Sequence, residues 1–208
     1  MIDHVRTFIR AVMRRVAGGL HAASRGYITP NGVTWFGFLM HVSIAYLIAT
    51  GHPWRAAAFL AVFGLFDTLD GELARLQGRV SDFGGLLDAT TDRLKEVLLY
   101  SGVAYFFVTY GTLDWRKYAA IAVAACGASI CVSFVKSKGE TLIAAQKKKL
   151  SYSELNHLFG GGLFPFEVRM VVLLAGLIFG YLPQAVTIIA VGATLTVFQR
   201  LYRISKVV

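Results

Sequence analysis

Long apolar runs separated by short charged segments dominate this chain. No Asp, Glu, Lys or Arg occurs between Arg25 and Arg55, between Glu96 and Asp114, between Lys117 and Lys136, or between Arg169 and Arg200. A membrane-crossing helix needs roughly 20 mostly apolar residues, so each gap has room for at least one span. The last gap is too long for a single span, and Gly180-Tyr181-Leu182-Pro183 inside it reads as a turn between two hairpinned helices. The pattern predicts six spans, at about 33–50, 54–77, 82–109, 115–137, 165–181 and 184–204. Thr29-Pro30-Asn31 is a turn signal before the first, and Gly51-His52-Pro53 separates the first two.

The N-terminal stretch has a different period. Arg6, Arg10 and Arg14 repeat every four residues and share a helical face. Val5, Phe8, Ile9, Val12, Met13, Val16 and Leu20 recur on the other side. Residues 2–25 therefore predict an amphipathic helix lying in the membrane surface, its arginines near lipid phosphates, with Gly18-Gly19 a place where it could end or loosen. Met1 to Arg25 has no continuous apolar core, so no cleaved leader is expected. The predicted fold is an all-α integral membrane protein, one domain over 1–208. A juxtamembrane helix (1–26) precedes a six-helix bundle (27–208).

Composition supports this class. Of 208 residues, 56% are hydrophobic and 16% are charged, against about 25% charged in a soluble domain. The net charge of +9 would suit nucleic acid, but the charges sit at the ends of apolar spans, which is the membrane pattern. With six spans, one side receives the N-terminal arginines, Arg75, Arg79, Lys136, Lys138, Lys147 to Lys149, Arg200, Arg203 and Lys206; the other receives Arg55, Arg116 and Lys117. The positive-inside rule then places both termini in the cytoplasm of a multi-pass cell-membrane protein. Cys126 and Cys131 lie in an apolar span and read as small core residues, not as a disulfide or zinc framework. His41 reads as a packed or hydrogen-bonded residue, and His157 lies in a Gly-rich loop without an assigned role.

Candidate chemistry is concentrated at the cytoplasmic ends of the second and third spans. Asp67-Thr-Leu-Asp70-Gly71-Glu-Leu-Ala74-Arg75 is followed by Gly84-Gly-Leu-Leu-Asp88-Ala-Thr-Thr-Asp92. Carboxylates at membrane depth are costly and usually functional. At 100° per residue, Asp67 and Asp70 lie about 60° apart and Asp88 and Asp92 about 40° apart, so each pair shares a face. Four facing carboxylates repel one another, and Arg75 alone is insufficient to neutralise them. Protonation of crowded carboxylates would help; one or two divalent cations would do more, and oxygen-only ligands favour magnesium, manganese or calcium over zinc. Gly71, Ala74, Gly84 and Gly85 leave room for a nucleotide against the backbone; they also suit close helix packing through small residues. Glu72 turns away from the aspartate face and reads as structural, and Arg93 as a partner for Asp82, Glu96 or lipid phosphate.

The stretch resembles the signature of the CDP-alcohol phosphotransferase (CDP-alcohol phosphatidyltransferase) family: D-x-x-D-G-x-x-A-R, eight residues, then G-x-x-x-D-x-x-x-D. Asp67, Asp70, Gly71, Ala74, Arg75, Gly84, Asp88 and Asp92 match all eight fixed positions within 26 residues. Thr29-Pro30-Asn31-Gly32-Val33-Thr34 resembles the family's T-P-N/D-x-x-T entry to its first span, and the six-span layout also matches. The resemblance implies a donor such as CDP-diacylglycerol, an alcohol acceptor, and two magnesium or manganese ions. It implies that Asp67, Asp70 and Asp88 hold the metals, and that Asp92 completes the second metal site and is the general base. It implies that Gly71, Arg75 and Ser81 contact the nucleotide or its phosphates, with Ala74 in the same binding face, and that Asn31 and Thr34 close over the CDP. A homodimer and a cytoplasmic active site are further expectations.

The acceptor is suggested by basic residues. Ser133-Phe-Val-Lys136-Ser-Lys138-Gly-Glu140 ends span four and Glu167-Val-Arg169 begins span five. Lys136, Lys138 and Arg169 are expected near the cytoplasmic surface beside the aspartates, where they would bind a phosphorylated acceptor. The arrangement is similar to the S-Y-x-K-x-R-x-E segment and later E-R of the bacterial phosphatidylinositol phosphate synthases within the family. This chain has Lys138 in place of the arginine, and Val168 between Glu167 and Arg169. Inositol phosphate is the favoured acceptor and glycerol 3-phosphate the alternative; the same basic residues would also serve as positive-inside anchors. A transporter using the acidic cluster is the competing class, but it would place polar groups nearer the membrane midplane.

Overall fold

The computed structural model describes residues 2–111, 114–145 and 162–207. Among them the chain is all-helical, with helices α1 (Ile2–Ser24), α2 (Pro30–Ala49), α3 (Pro53–Phe63), α4 (Phe66–Gln77), α5 (Asp82–Tyr110), α6 (Trp115–Ala145), α7 (Phe166–Phe179) and α8 (Leu182–Ser205). Lys147 to Lys149 and His157 lie outside the described residues. Among the described residues, three helices are long and apolar enough to cross a membrane on their own: α2, α6 over Trp115–Ile143, and α8.

Local chemistry sets most boundaries. Thr29 caps α2 by accepting the Gly32 N–H at 3.1 Å, with Pro30 in the first turn, where its missing N–H costs nothing. Pro53 opens α3 in the same way. Gly78 ends α4 in the left-handed conformation at φ 63°, and the Arg79 N–H returns to the Ala74 carbonyl at 2.9 Å. Ser81 caps α5 through the Gly84 N–H at 3.1 Å. The turn anticipated at 180–183 is present, with Gly180 at φ 74°.

Three elements differ from the sequence reading. The expected span 54–77 is two helices, because Gly64 and Leu65 form a tight turn, with the Leu65 N–H reaching the Val62 carbonyl at 3.3 Å. A Cβ at Gly64 would lie 2.7 Å from the Leu60 carbonyl oxygen, so this turn needs glycine. The two halves then take different neighbours: α3 packs on α2 and α7, and α4 packs on α1 and α2. Helix α6 runs on to Ala145, well past 137, so Lys136 and Lys138 sit on a helix. Helix α1 passes through Gly18-Gly19 without a break.

The main core lies between α2, α3, α5, α6, α7 and α8, and includes Ile44, Ile48, Leu60, Leu99, Val103, Phe107, Leu173, Leu177, Val186 and Ile189. Helices α2 and α5 approach closely; a Cβ at Gly102 would come within 2.6 Å of the Ala45 carbonyl oxygen. Cys126 packs against this core, whereas Cys131 is exposed rather than in the core as expected. His41 is buried and its Nδ1 lies 2.8 Å from the Gly37 carbonyl oxygen. Large apolar side chains such as Trp35, Leu39, Val123, Val171, Val191 and Leu195 face outward, as a lipid-facing surface requires.

A second cluster fastens α1 to the bundle. Ala17 packs with Val33 of α2 and with Leu69 and Leu73 of α4, flanked by Met13, Leu20 and Phe66. Arg14 Nε donates to Glu72 Oε2 at 3.2 Å, and Gln77 Nε2 lies 3.3 Å from His21 Nδ1. The apolar stripe of α1 is thus buried in part against protein.

Candidate active site

Helix α2 packs against both α4 and α5, and this arrangement brings Asp67 and Asp70 of α4 to Asp88 of α5. Asp67, Asp70 and Asp88 each offer an oxygen, and the three oxygens lie within 4.8 Å of one another. Asp70 is buried and its Oδ2 accepts the Thr34 hydroxyl at 2.5 Å. Thr34 also lies 3.2 Å from the Pro30 carbonyl oxygen, so the α2 entry motif orients this carboxylate. Asp88 Oδ1 is buried with no hydrogen-bond partner among the described residues. A buried carboxylate oxygen without a partner is expensive. An all-oxygen set of three acids with one orphaned oxygen fits a hard divalent cation.

Asp92 stands apart from this triad. Its Oδ1 lies 3.4 Å from Lys95 Nζ, and its Oδ2 lies 3.8 Å from Arg93 Nη1. Lys95 also donates to Asp67 Oδ1, which ties α5 to α4. Lys95 was missed in the sequence. The signal was present: it follows Asp88 by seven residues and Asp92 by three, the spacing of one helical face. Among protein partners, Arg93 meets the Ala89 carbonyl at 2.8 Å and Asp92 rather than Asp82 or Glu96.

A cleft of about 340 Å³ opens beside the triad, within the range of small-molecule sites. Asn31, Thr34, Asp67, Asp70, Gly71, Ala74, Arg75, Ser81, Gly84, Gly85 and Asp88 all line it. Gly85 faces open space, and a Cβ at Gly71 would meet the Arg75 guanidinium at 3.5 Å. Arg75 Nη2 donates to Glu72 Oε1 at 2.7 Å. Glu72 thus faces the arginines and not the aspartates, as expected, and holds both Arg75 and Arg14. Arg10 of α1 and Arg79 also line the cleft. The sequence placed Arg10 at lipid phosphates, and its presence here follows from the docking of α1 on α4.

The basic residues expected around the acceptor separate. Lys136 and Lys138 are exposed on α6, and Lys136 Nζ lies 3.9 Å from Glu140 Oε1. Arg169 is instead fully buried; it donates to Glu96 at 3.1 and 3.3 Å and to the Phe164 carbonyl at 3.1 Å. Its expected surface position is therefore corrected: a buried glutamate on α5 draws it inward. Arg200 is buried too, and its Nη1 donates to the Val132 carbonyl at 2.7 Å.

Comparison with known proteins agrees with this geometry. The sequence pattern of the CDP-alcohol phosphatidyltransferases matches residues 27–199. A phosphatidylinositol phosphate synthase of Cutibacterium acnes is 30% identical, over 99% of this chain and 98% of that protein. An archaetidylinositol phosphate synthase of Pyrococcus horikoshii is 29% identical, over 99% and 97%. The crystal structure of Mycobacterium tuberculosis phosphatidylinositol phosphate synthase with CDP-DAG bound superposes with a TM-score of 0.77 at 25% identity, covering 93% of this chain and 94% of that one. The same enzyme in complex with manganese and citrate gives a TM-score of 0.76 at 26% identity, covering 93% and 88%. With three of its four signature aspartates gathered beside a cleft of about 340 Å³ and its sequence matched from Tyr27 to Gln199, this chain belongs to the CDP-alcohol phosphatidyltransferase family.

Proposed function

We propose that this protein transfers the phosphatidyl group of CDP-diacylglycerol to a hydroxyl of inositol phosphate, giving phosphatidylinositol phosphate and CMP. The observation that carries the reading is the Asp67, Asp70 and Asp88 triad set beside a cleft built from the family signature. The bacterial and archaeal relatives differ in the lipid their names specify but share inositol phosphate, which favours that acceptor.

The donor lies in the cleft with its nucleotide against Gly71 and Ala74, where small residues leave room. Asn31, Ser81 and Arg75 hold its polar groups, and Thr34 fixes Asp70 beneath it. Arg75, held by Glu72, places a planar donor array suited to phosphate. Asp67, Asp70 and Asp88 would hold a magnesium or manganese ion, and Asp92 would complete a second site. A bound ion would offset charge on the diphosphate and stabilise the departing CMP. Asp92 accepts the proton of the acceptor hydroxyl. The hydroxyl oxygen forms a bond to the lipid-side phosphorus, the bond to the CMP oxygen breaks, and CMP leaves. Lys136 and Lys138 draw in the acceptor phosphate from the surface, while Arg169 is held away from it by Glu96.

The chain crosses the membrane six times in this reading, with α3 and α4 together forming one crossing. Both termini and the cleft face the cytoplasm, α1 lies at that surface, and two copies associate as a homodimer. The charge asymmetry along the sequence supports this orientation.

Purified protein incubated with CDP-diacylglycerol and magnesium should release CMP with inositol phosphate, and chelation of the metal should stop it. Release with glycerol 3-phosphate, serine or inositol in its place would overturn the acceptor assignment. Lys136→Ala should raise the KM for inositol phosphate about 10-fold, the loss of one charged hydrogen bond, and leave the KM for CDP-diacylglycerol unchanged. An unchanged KM for inositol phosphate would remove Lys136 from the acceptor site.

A further inference from the structure

Helix α1 is linked to the cleft through one buried glutamate. Glu72 of α4 is 4% exposed, and its two carboxylate oxygens are divided between two helices: Oε1 accepts from Arg75 Nη2 at 2.7 Å, and Oε2 accepts from Arg14 Nε at 3.2 Å. The Arg75 guanidinium lies over Gly71, and both residues line the cleft; Glu72 and Arg14 do not. Arg14 is held in place by its helix. Ala17, three residues on, packs with Leu69 and Leu73 of α4, and His21 lies against Gln77.

We propose that Arg14 and Glu72 are positioning residues for the lipid donor: the docked α1 sets the orientation of Arg75 and, through it, the affinity for a CDP-lipid. The proposal deepens the reading of the cleft as the donor site and rests on it. Its physical basis is competition for one carboxylate. An arginine and a carboxylate left to themselves favour a bidentate pair with two parallel N–H···O bonds. Arg14 occupies Oε2, so Arg75 meets Glu72 through Nη2, and the rest of its five-donor fork remains for phosphate oxygens. Without Arg14, the buried Oε2 loses its partner, which is costly. Arg75, still bonded to the same carboxylate, can then close on both oxygens and withdraw from the cleft. Without the Glu72 charge, Arg75, whose side chain is 55% exposed, loses the anchor that orders it before the donor arrives, and binding must supply that order. Donor affinity falls in both cases, whereas the chemical step, which neither residue touches, does not change.

The test is the Kd of CDP-diacylglycerol for full-length protein in detergent with magnesium, measured without an acceptor so that the result does not depend on which alcohol is used. Arg14→Ala and Glu72→Gln should each raise this Kd about 2–10-fold, the range for one side chain that binding must order. The double variant should bind no more weakly than Glu72→Gln alone, because Arg14 acts through that carboxylate. Arg14→Lys, which can still donate to Oε2, should restore the wild-type Kd. The Arg14 side chain is 73% exposed, so truncating it leaves no cavity; should Glu72→Gln not fold, Arg14→Ala and its rescue by lysine carry the test. A wild-type Kd in Arg14→Ala, no rescue by Arg14→Lys, or additive losses in the double variant, as for an α1 that is only a membrane anchor, would overturn the proposal. Arg75→Ala separates it from the reading beneath it. Weakened donor binding there with normal binding in Arg14→Ala refutes the relay alone, and normal binding in Arg75→Ala refutes both the relay and the role of Arg75 in the donor site.

Discussion

Asp92→Asn should lower CMP release by about 10²–10⁴-fold, the contribution of a positioned general base, while CDP-diacylglycerol still binds. The residue lies outside the triad and does not line the donor cleft, so its loss leaves the donor's immediate surroundings unchanged. The amide keeps the size of the carboxylate but accepts no proton at neutral pH. Lys95 retains Asp67 as a partner in the variant, which limits the structural cost. Binding of a CDP-lipid measured beside turnover separates loss of chemistry from loss of the site. Full turnover by a folded Asp92→Asn protein would rule out this base. Loss of donor binding together with turnover would instead make Asp92 part of the donor site.

Removing one member of the Glu96 and Arg169 pair should cost about 3–5 kcal/mol of stability, as expected when a buried ion pair loses one partner. The two side chains are 2% and 1% exposed, and water cannot readily solvate whichever remains. Arg169 also holds the Phe164 carbonyl just before α7, so Arg169→Ala frees a backbone acceptor as well. The double variant Glu96→Gln with Arg169→Met should recover a large part of the loss, because neither charge is then left unpaired. Thermal unfolding in detergent, run on both single variants and the double, reads this coupling directly. A stable Arg169→Ala protein with only a raised KM for inositol phosphate would return Arg169 to the acceptor site.

These two residues show how far the sequence could be read. Arg169 was legible as a charge at the start of an apolar run, and such charges usually anchor a helix end at the membrane surface. Its partner lies 73 positions away on α5, and no local pattern links them. Lys95 and Asp67 are 28 positions apart on different helices, and Arg14 and Glu72 are 58 apart. Each pairing follows from which helices touch. The break at Gly64-Leu65 was hidden for a related reason. Hydropathy is continuous through it, and glycine alone does not announce a tight turn inside an apolar run.

What the sequence determined by itself was local and periodic. The gaps between charges marked the apolar helices, Thr29, Pro30, Pro53 and Gly180 marked their ends, and the spacing of Asp67, Asp70, Asp88 and Asp92 placed each acidic pair on one face. These follow from the geometry of a single helix and its caps, which neighbouring residues dictate. The tertiary structure decided what those faces meet: three aspartates gather, the fourth is held by Lys95, Arg10 reaches the cleft, and Arg169 is buried. Such outcomes depend on how helices distant in sequence pack, and there a buried charge takes the nearest opposite charge that packing provides.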